Sequence, residues 1–245
     1  MWDKQTEQKL QALKKQAEHL VTHGCGDKEA VHTIRVQARE ILSLLHRQGA
    51  TSPELKKVIS LSNKIRDIDV LLSDYLPDVP ARCQRRINLS QIKDTLTTIR
   101  EQEARGLLHY LSAFPEPALS PVKNADKKQA KHPPQLSRNI HKLHQYRIFI
   151  KHQLYLSRNK SGVTDPADNN LSDNNRRIHL LGRIKDTLGS IHDNYTALKL
   201  IAAISDDKKS IRPLKKYTRE VNARQFRKAA RLIRKLEKLQ KTMPE

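Results

Sequence analysis

Glycine, cysteine and aromatic residues are all scarce in this sequence. Its 245 residues include 7 glycines, which argues against a glycine-rich nucleotide-binding loop and against a turn-rich β-protein. Aromatic residues make up 4% of the chain, whereas proteins that read single-stranded bases usually need aromatic rings to stack on. The two cysteines, Cys25 and Cys83, lack metal-site spacing, so we expect free thiols in a reducing compartment.

Long apolar runs are absent as well. The opening residues, MWDKQTEQKL, lack the apolar stretch of a signal peptide, and no run approaches the length needed to span a membrane. We therefore expect a soluble, cytoplasmic protein.

What the sequence has in excess is positive charge, with 47 Lys and Arg against 26 Asp and Glu and a net charge of +21. This excess should attract polyanions such as nucleic acid, an anionic lipid surface or polyphosphate.

Apolar residues recur with the helical period in every long segment, which predicts an all-α fold. Gly24 and Gly26 separate the first two helices, and Ser52-Pro53 begins the third. The predicted helices lie near residues 3–22, 28–48, 54–76, 89–113, 136–158, 175–203, 207–219 and 221–242.

One stretch, residues 114–135, interrupts the helical pattern. It contains five of the 11 prolines and no apolar period, which predicts a mobile linker. We therefore predict a single domain over residues 1–245, with an N-terminal helical half, 1–113, and a C-terminal helical half, 136–245.

The two halves share an internal repeat. The segment Val31–Arg39 aligns with Leu143–Lys151, so that each half contains H-x-x-R-x-x-x-[RK]. Further along, Ile65-Arg66-Asp67 aligns with Ile191-His192-Asp193. Two related helical bundles on either side of the linker are the simplest architecture.

On a helix, the first motif forms a cationic stripe. At about 100° per residue, His32, Arg35 and Arg39 fall within about 60° of one another. Apolar residues such as Ile34 and Ala38 lie on a largely opposite face. The first stripe also includes Lys28 and His46, and the second contains His144, Arg147, Lys151 and Arg158.

These residue types suit a chain of phosphates, which offers closely spaced anionic oxygens and no base edges. Arginine grips such oxygens with a planar fork and lysine with a point charge, and histidine adds a donor that a nearby phosphate makes cationic. A basic stripe on a helix is usually only a solvated face. Solvation alone, however, gives no reason for the same spacing to recur in both halves.

The two motif aspartates, Asp67 and Asp193, do not suit direct contact with a phosphate chain, because a carboxylate there would repel the ligand. We predict that they support the site instead, by pairing with a motif arginine or histidine or by capping a helix. Catalytic or metal-binding use of the same residues is the alternative.

These motifs resemble the conserved-histidine α-helical domain, or CHAD. The family pattern is V-H-x-x-R-V-x-x-R, then R-D-x-D-V-L-L, then L-H-x-x-R-I-x-x-K and L-G-x-x-H-D. Here these stand as Val31–Arg39, Arg66–Leu72, Leu143–Lys151 and Leu188–Asp193. The sequence departs from the family where an arginine-rich continuation is common, since Glu40-Ile41-Leu42 and His152-Gln153-Leu154 follow the two motifs. It also has Asn63 where glycine is common.

The resemblance implies two pseudo-symmetric helical bundles around a basic central cavity that binds inorganic polyphosphate. It carries ligand roles onto His32, Arg35, Arg39, His144, Arg147 and Lys151. The C-terminal segment could add to this lining, because residues 208–245 contain 14 Lys and Arg against three Glu. The further candidate ligands are Lys28, Lys64, Arg158, Lys185, Arg224 and Arg231.

The sequence thus predicts non-catalytic polyphosphate binding, without a cofactor or metal, by a protein that could be placed on polyphosphate granules. One alternative is a nucleic-acid-binding basic helical protein, which the charge supports but no recognition motif does. The other is a phosphohydrolase or phosphotransferase that uses the motif histidines. The sequence contains no P-loop, no carboxylate cluster for a metal and no Ser or Cys nucleophile motif.

Overall fold

The predicted all-α fold is confirmed. The structure, a computed structural model, describes residues 4–85, 87–121, 135–160, 170–205 and 209–242. A π-helical turn, Leu71–Tyr75, joins α3 to α4, and two-residue strands β1 and β2 form one antiparallel pair. The elements in chain order are α1 Lys4–His23, α2 Lys28–Arg47, β1 Ala50–Thr51, α3 Pro53–Val70, α4 Leu76–Asp78, α5 Ala81–Gln84, α6 Leu89–Ser112, β2 Ser120–Pro121, α7 Ile140–Lys160, α8 Asn170–Ile204 and α9 Arg212–Thr242.

Local capping sets the end of α1, both ends of α2 and the start of α3. Gly24, at a φ of 81°, follows α1, and Gly49, at a φ of 73°, follows α2; both conformations favour glycine. The Asp27 side chain accepts a hydrogen bond from the backbone N–H of Glu29 and begins α2. Ser52 caps α3 in the same way, through the N–H of Leu55. These caps place the motif helices where the sequence predicts them.

Several predicted helix boundaries were wrong. Helix α8 begins at Asn170 rather than at 175, and helix α9 begins at Arg212 rather than at 207. Helix α7 begins at Ile140 rather than at 136, because Asn139 accepts hydrogen bonds from the N–H groups of His141 and Lys142 and caps the first turn. The predicted pair 207–219 and 221–242 is one continuous helix, α9. The residues around Glu220 include neither glycine nor proline, so the backbone has no reason to break there.

The chain forms two compact units, each with its own apolar core. The first unit contains α1 to α6, and its core includes Leu13, Ile34, Leu45 and Ile65. The second contains α7, α8 and α9, and side chains from all three helices meet in its core. The core residues of the second unit are Leu143, Tyr146, Ile150, Leu154, Leu181, Ile184, Leu188, Ile191, Ala229, Leu232, Ile233 and Leu236.

The start of the predicted mobile linker, 114–135, is folded onto the first unit. Phe114 packs against the first core, and the N–H of Ala118 donates to the Glu54 carboxylate at 3.0 Å. Strand β2 then pairs with β1. Residues 114–121 are therefore part of the first unit, because apolar contact and strand pairing hold them. Residues 122–134 of the predicted linker lie outside the described residues, so that part stays a prediction.

A buried ion pair joins α3 to α6 in the first unit, and its arginine also contacts the turn after α1. Asp69 on α3 is 7% exposed, and its Oδ1 accepts from Nε of Arg100 on α6 at 2.6 Å. The same guanidinium donates from Nη2 to the carbonyl of Cys25 at 3.0 Å, in the turn after α1. Cys25 and Cys83 are free thiols, as predicted, and both are buried.

We expect Arg100→Met to destabilise the protein by about 3–5 kcal/mol, because it leaves the Asp69 carboxylate buried without its charged partner. Adding Asp69→Leu should restore most of this loss, since replacing both members of a buried pair by apolar residues is often neutral. Urea unfolding measures both changes. As a control, Lys9→Met removes the exposed Lys9–Glu40 pair and should cost about 1 kcal/mol or less; an equal cost for Arg100→Met would contradict the assignment.

Candidate functional site

In the first unit, Arg35 lies at the edge of the core rather than in solvent. Its helix neighbours Ile34 and Ala38 are fully buried, and Arg35 itself is 8% exposed. Its Nη2 lies 3.2 Å from Nδ1 of His32. Because a guanidinium only donates, Nδ1 of His32 must accept, which places the ring proton on Nε2. His32 is exposed, so this tautomer makes it a hydrogen-bond donor towards solvent or an anion.

Asn63 on α3 holds two arginines of the first stripe. Its Oδ1 accepts from Nη2 of Arg39 at 3.0 Å and, in a longer contact, from Nη1 of Arg35 at 3.5 Å. Asn63 is neutral, so these bonds orient the two guanidinium groups without cancelling their charge. The first unit therefore brings together His32, Arg35 and Arg39 around one amide side chain.

In the second unit, Arg147 on α7 lies against α8 at Gly189. A Cβ atom at position 189 would lie 3.4 Å from Nη2 of Arg147 and 3.7 Å from its Nε. The ring of His144 stands beside that of His192 on α8, with 5.5 Å between the centroids. The packing of α7 on α8 therefore places His144 and Arg147, from the H-x-x-R motif, next to the Ile191-His192-Asp193 motif.

The two units hold their motif arginines at the same position of the repeat. Asn63 precedes Ile65 by two residues, and Gly189 precedes Ile191 by two. In one unit this position is an amide that accepts from Arg35, and in the other it is a glycine over which Arg147 lies. The internal repeat is thus also a structural repeat at these positions.

The pKa of His144 is lowered from its ordinary value of 6.5. The first cause is partial desolvation of the ring, and the second is the positive charge of Arg147, Lys151 and His141. This histidine therefore favours its neutral form. An anion among the same cations would reverse the effect and favour the imidazolium.

The other candidate residues fall into three groups. Lys28, Arg224 and Arg231 are exposed, on the first turn of α2 and on α9, respectively. Two lysines have acidic partners: Lys64 with Glu103 at 3.0 Å, and Lys185 with the adjacent Asp186 at 3.0 Å. Lys151 is half-buried on α7, and Arg158 belongs to the last turns of that helix, with its side chain outside the described part of the structure.

The two predicted supporting aspartates are half-buried. Asp67 accepts a hydrogen bond from the neighbouring Arg66 at 3.1 Å. In the first unit, Asn63 accepts hydrogen bonds from both Arg35 and Arg39. The supporting role of Asp193 stays a prediction, as does the basic cavity between the halves.

Sequence reasoning missed two residues of these clusters as site residues, Asn63 and His192. Asn63 lies two residues before the Ile65-Arg66-Asp67 motif, and His192 lies within the Ile191-His192-Asp193 motif. The internal repeat was therefore the signal that could have found them. Asn63 was noted only as a departure from glycine, and His192 only as part of a motif. Neither could be placed beside its arginine or histidine without the packing of the two motif helices.

No helix among the described residues is long and apolar enough to cross a membrane. The same described residues contain no group of three or more His, Cys, Asp or Glu side chains that could hold a metal ion.

The fold and these two clusters define an all-helical protein with duplicated cationic helix faces. The sequence matches the CHAD domain family over residues 4–202, which is most of the chain. The protein therefore belongs to the CHAD family, as its motifs predicted. No curated protein and no solved structure matches the chain.

The lowered pKa of His144 predicts how stability changes with pH. The unfolded chain binds this proton more readily than the folded protein, so the contribution of His144 is favourable above pH 6.5 and is lost as the pH falls through the window below it. The wild type should therefore lose stability relative to His144→Gln on going from pH 7.5 to pH 5. Urea unfolding at each pH measures the difference.

His179→Gln is the matched control, because His179 is an exposed histidine on α8 of the same unit. A pH-independent difference between His144→Gln and the wild type would show that the folded protein does not disfavour the charged ring.

Proposed function

We propose that this protein binds inorganic polyphosphate, without catalysis, through the motif clusters of its two units. The observation that carries the proposal is the repeated arginine position: Arg35 and Arg147 are each held against the next helix at the same point of the repeat. Membership of the CHAD family, which is linked to polyphosphate binding in general, supports the same ligand.

The chemistry of the first cluster suits a phosphate chain. Arg39 is exposed, and its Nη2 donates to Asn63 at 3.0 Å, which fixes the orientation of the guanidinium group. A guanidinium fork matches two phosphate oxygens at once. His32, whose Nδ1 accepts from Arg35, adds an Nε2–H donor beside it. The cluster thus combines fixed charge with fixed direction, which a merely solvated stripe would lack.

Arg39→Glu together with Arg147→Glu should weaken polyphosphate binding by roughly a hundredfold or more, because each arginine makes charge-assisted contacts of about 1.5–3 kcal/mol. Lys57→Glu together with Lys199→Glu is the control. Both lysines are exposed, one lies in each unit, and both double variants change the net charge equally. Titration of long-chain polyphosphate at physiological salt measures the affinities.

A milder variant keeps this test valid if the charge reversals unfold the protein. Asn63→Asp preserves the shape of the side chain but places a carboxylate between Arg35 and Arg39. It should hold both arginines in place, yet weaken polyphosphate binding clearly more than Asn175→Asp, a change at an exposed asparagine of α8.

Equal affinities within each matched pair of well-folded variants would mean that the net charge of +21 alone attracts the polymer. Stronger binding of duplex DNA than of polyphosphate at matched phosphate content and salt would favour the nucleic-acid alternative.

The geometry around His32 supports binding rather than turnover. Its Nδ1 lone pair accepts from Arg35, and its Nε2 carries a proton, so the ring donates a hydrogen bond and offers no free lone pair for attack on phosphorus. We therefore expect no release of phosphate when the protein is incubated with polyphosphate and Mg²⁺ or Mn²⁺. Release that His32→Gln and His144→Gln abolish would contradict the proposal and favour a phosphohydrolase.

Such binding in the cytoplasm would bring the protein to polyphosphate granules in cells that contain them. The Arg39→Glu/Arg147→Glu variant tests this consequence as well, because a fluorescent fusion should lose granule association together with affinity. Granule association that persists in this variant would mean that another surface directs it.

A further inference from the structure

Helix α9 has an unusual distribution of charge. Between its first residue and Lys241 it contains 12 Lys and Arg against two Glu, Glu220 and Glu237. Every one of the 12 basic residues is exposed. They are Arg212, Lys215, Lys216, Arg219, Arg224, Arg227, Lys228, Arg231, Arg234, Lys235, Lys238 and Lys241.

These basic residues lie opposite the stripe that holds α9 in the second unit. The buried stripe includes Leu214, Ala229, Leu232 and Leu236, the last three of which belong to the second core. At about 100° per residue, the centres of the buried stripe and of the basic face are separated by roughly 180°. The basic residues cover more than half of the helix circumference, so the whole outer side of α9 is cationic.

The positive charge of this face is also uncompensated. None of the ion pairs between described residues involves a basic residue of α9. The helix is about 46 Å long, from 31 residues at about 1.5 Å each. With two glutamates against 12 cations, the face has one net positive charge in roughly every 5 Å along the axis.

The breadth of the face indicates what kind of anion fits it. A flat lipid surface or a stiff duplex lying along the helix touches a narrower arc and leaves the cations on either side without contact. A flexible single chain of phosphates can follow the helix and reach all of them. Four apolar residues of α9, Ala229, Leu232, Ile233 and Leu236, lie in the second core. Its two aromatic residues, Tyr217 and Phe226, are half-buried. The exposed face is therefore built for phosphate charge rather than for acyl chains or bases.

We propose that the outer face of α9 is a second polyphosphate-binding surface, which holds the part of a long chain that extends beyond the motif clusters. This inference rests on the proposed function and deepens it, because it makes the protein selective for chain length. A short chain contacts only a motif cluster and does not reach α9. A long chain occupies both surfaces, and the second contact, being intramolecular, raises the overall affinity without any change at the first.

The test compares two ligands, tripolyphosphate and a chain of roughly a hundred phosphates, since only the latter is long enough to use both surfaces. The variant changes Arg227, Arg231, Arg234 and Lys238 to glutamine, which keeps a high helix propensity. We expect its affinity for the long chain to fall by about tenfold or more, and its affinity for tripolyphosphate to change by less than about twofold. The control changes four exposed basic residues of the first unit to glutamine: Lys15, Lys57, Lys93 and Arg105.

The control should retain most of its affinity for the long chain, although both variants lose four charges. The inference is overturned if the α9 variant, shown to be folded by circular dichroism, binds the long chain as the wild type does, or if the control loses as much. It is also overturned if the α9 variant loses duplex DNA binding but keeps polyphosphate binding. Failure of the proposed function looks different, because the wild type itself would then bind neither polyphosphate.

Discussion

The contact between each H-x-x-R helix and the helix of the second motif is the constraint on which both clusters depend. It seats Arg35 against Asn63 in the first unit and Arg147 over Gly189 in the second. A guanidinium held in this way has lost much of its rotamer freedom before a ligand arrives, so less entropy is lost on binding. The cores behind these contacts, with Ile34 and Ile65 in one unit and Ile150 and Ile191 in the other, keep the helices in register.

The protein uses its positive charge in three physically distinct ways. Arg100 is paired with a buried carboxylate, so its charge stabilises the first unit and is not offered to a ligand. Arg39 is oriented by a neutral amide and keeps its charge. The basic residues of α9 are neither buried nor fixed by an acidic partner, so they contribute charge at high density with little direction. A net charge of +21 therefore conceals different local roles, which composition alone does not separate.

Most of the fold follows from local signals. Asp27, Ser52 and the two glycines at positive φ bound the motif helices where the sequence predicts them. The prediction was wrong where a weaker signal was outweighed. Asn139 caps α7 after the predicted start, and α9 continues through Glu220, because apolar contacts on either side favour one helix. Residues 114–121 are rich in proline, yet Phe114 packs against the apolar core of the first unit.

The sequence by itself determined the helical class, the duplicated cationic stripes and the likeness to the CHAD family. Periodicity, spacing and net charge can all be read from the kinds of residues and their order along the chain. Only the tertiary structure decided which side chain of α3 meets the motif arginines. Asn63 and Asp67 are one helical turn apart on the same face, so periodicity treats them alike. The axial position of α2 against α3, set by the packing of the apolar core, brings Asn63 to Arg35 and Arg39 and leaves Asp67 beside Arg66.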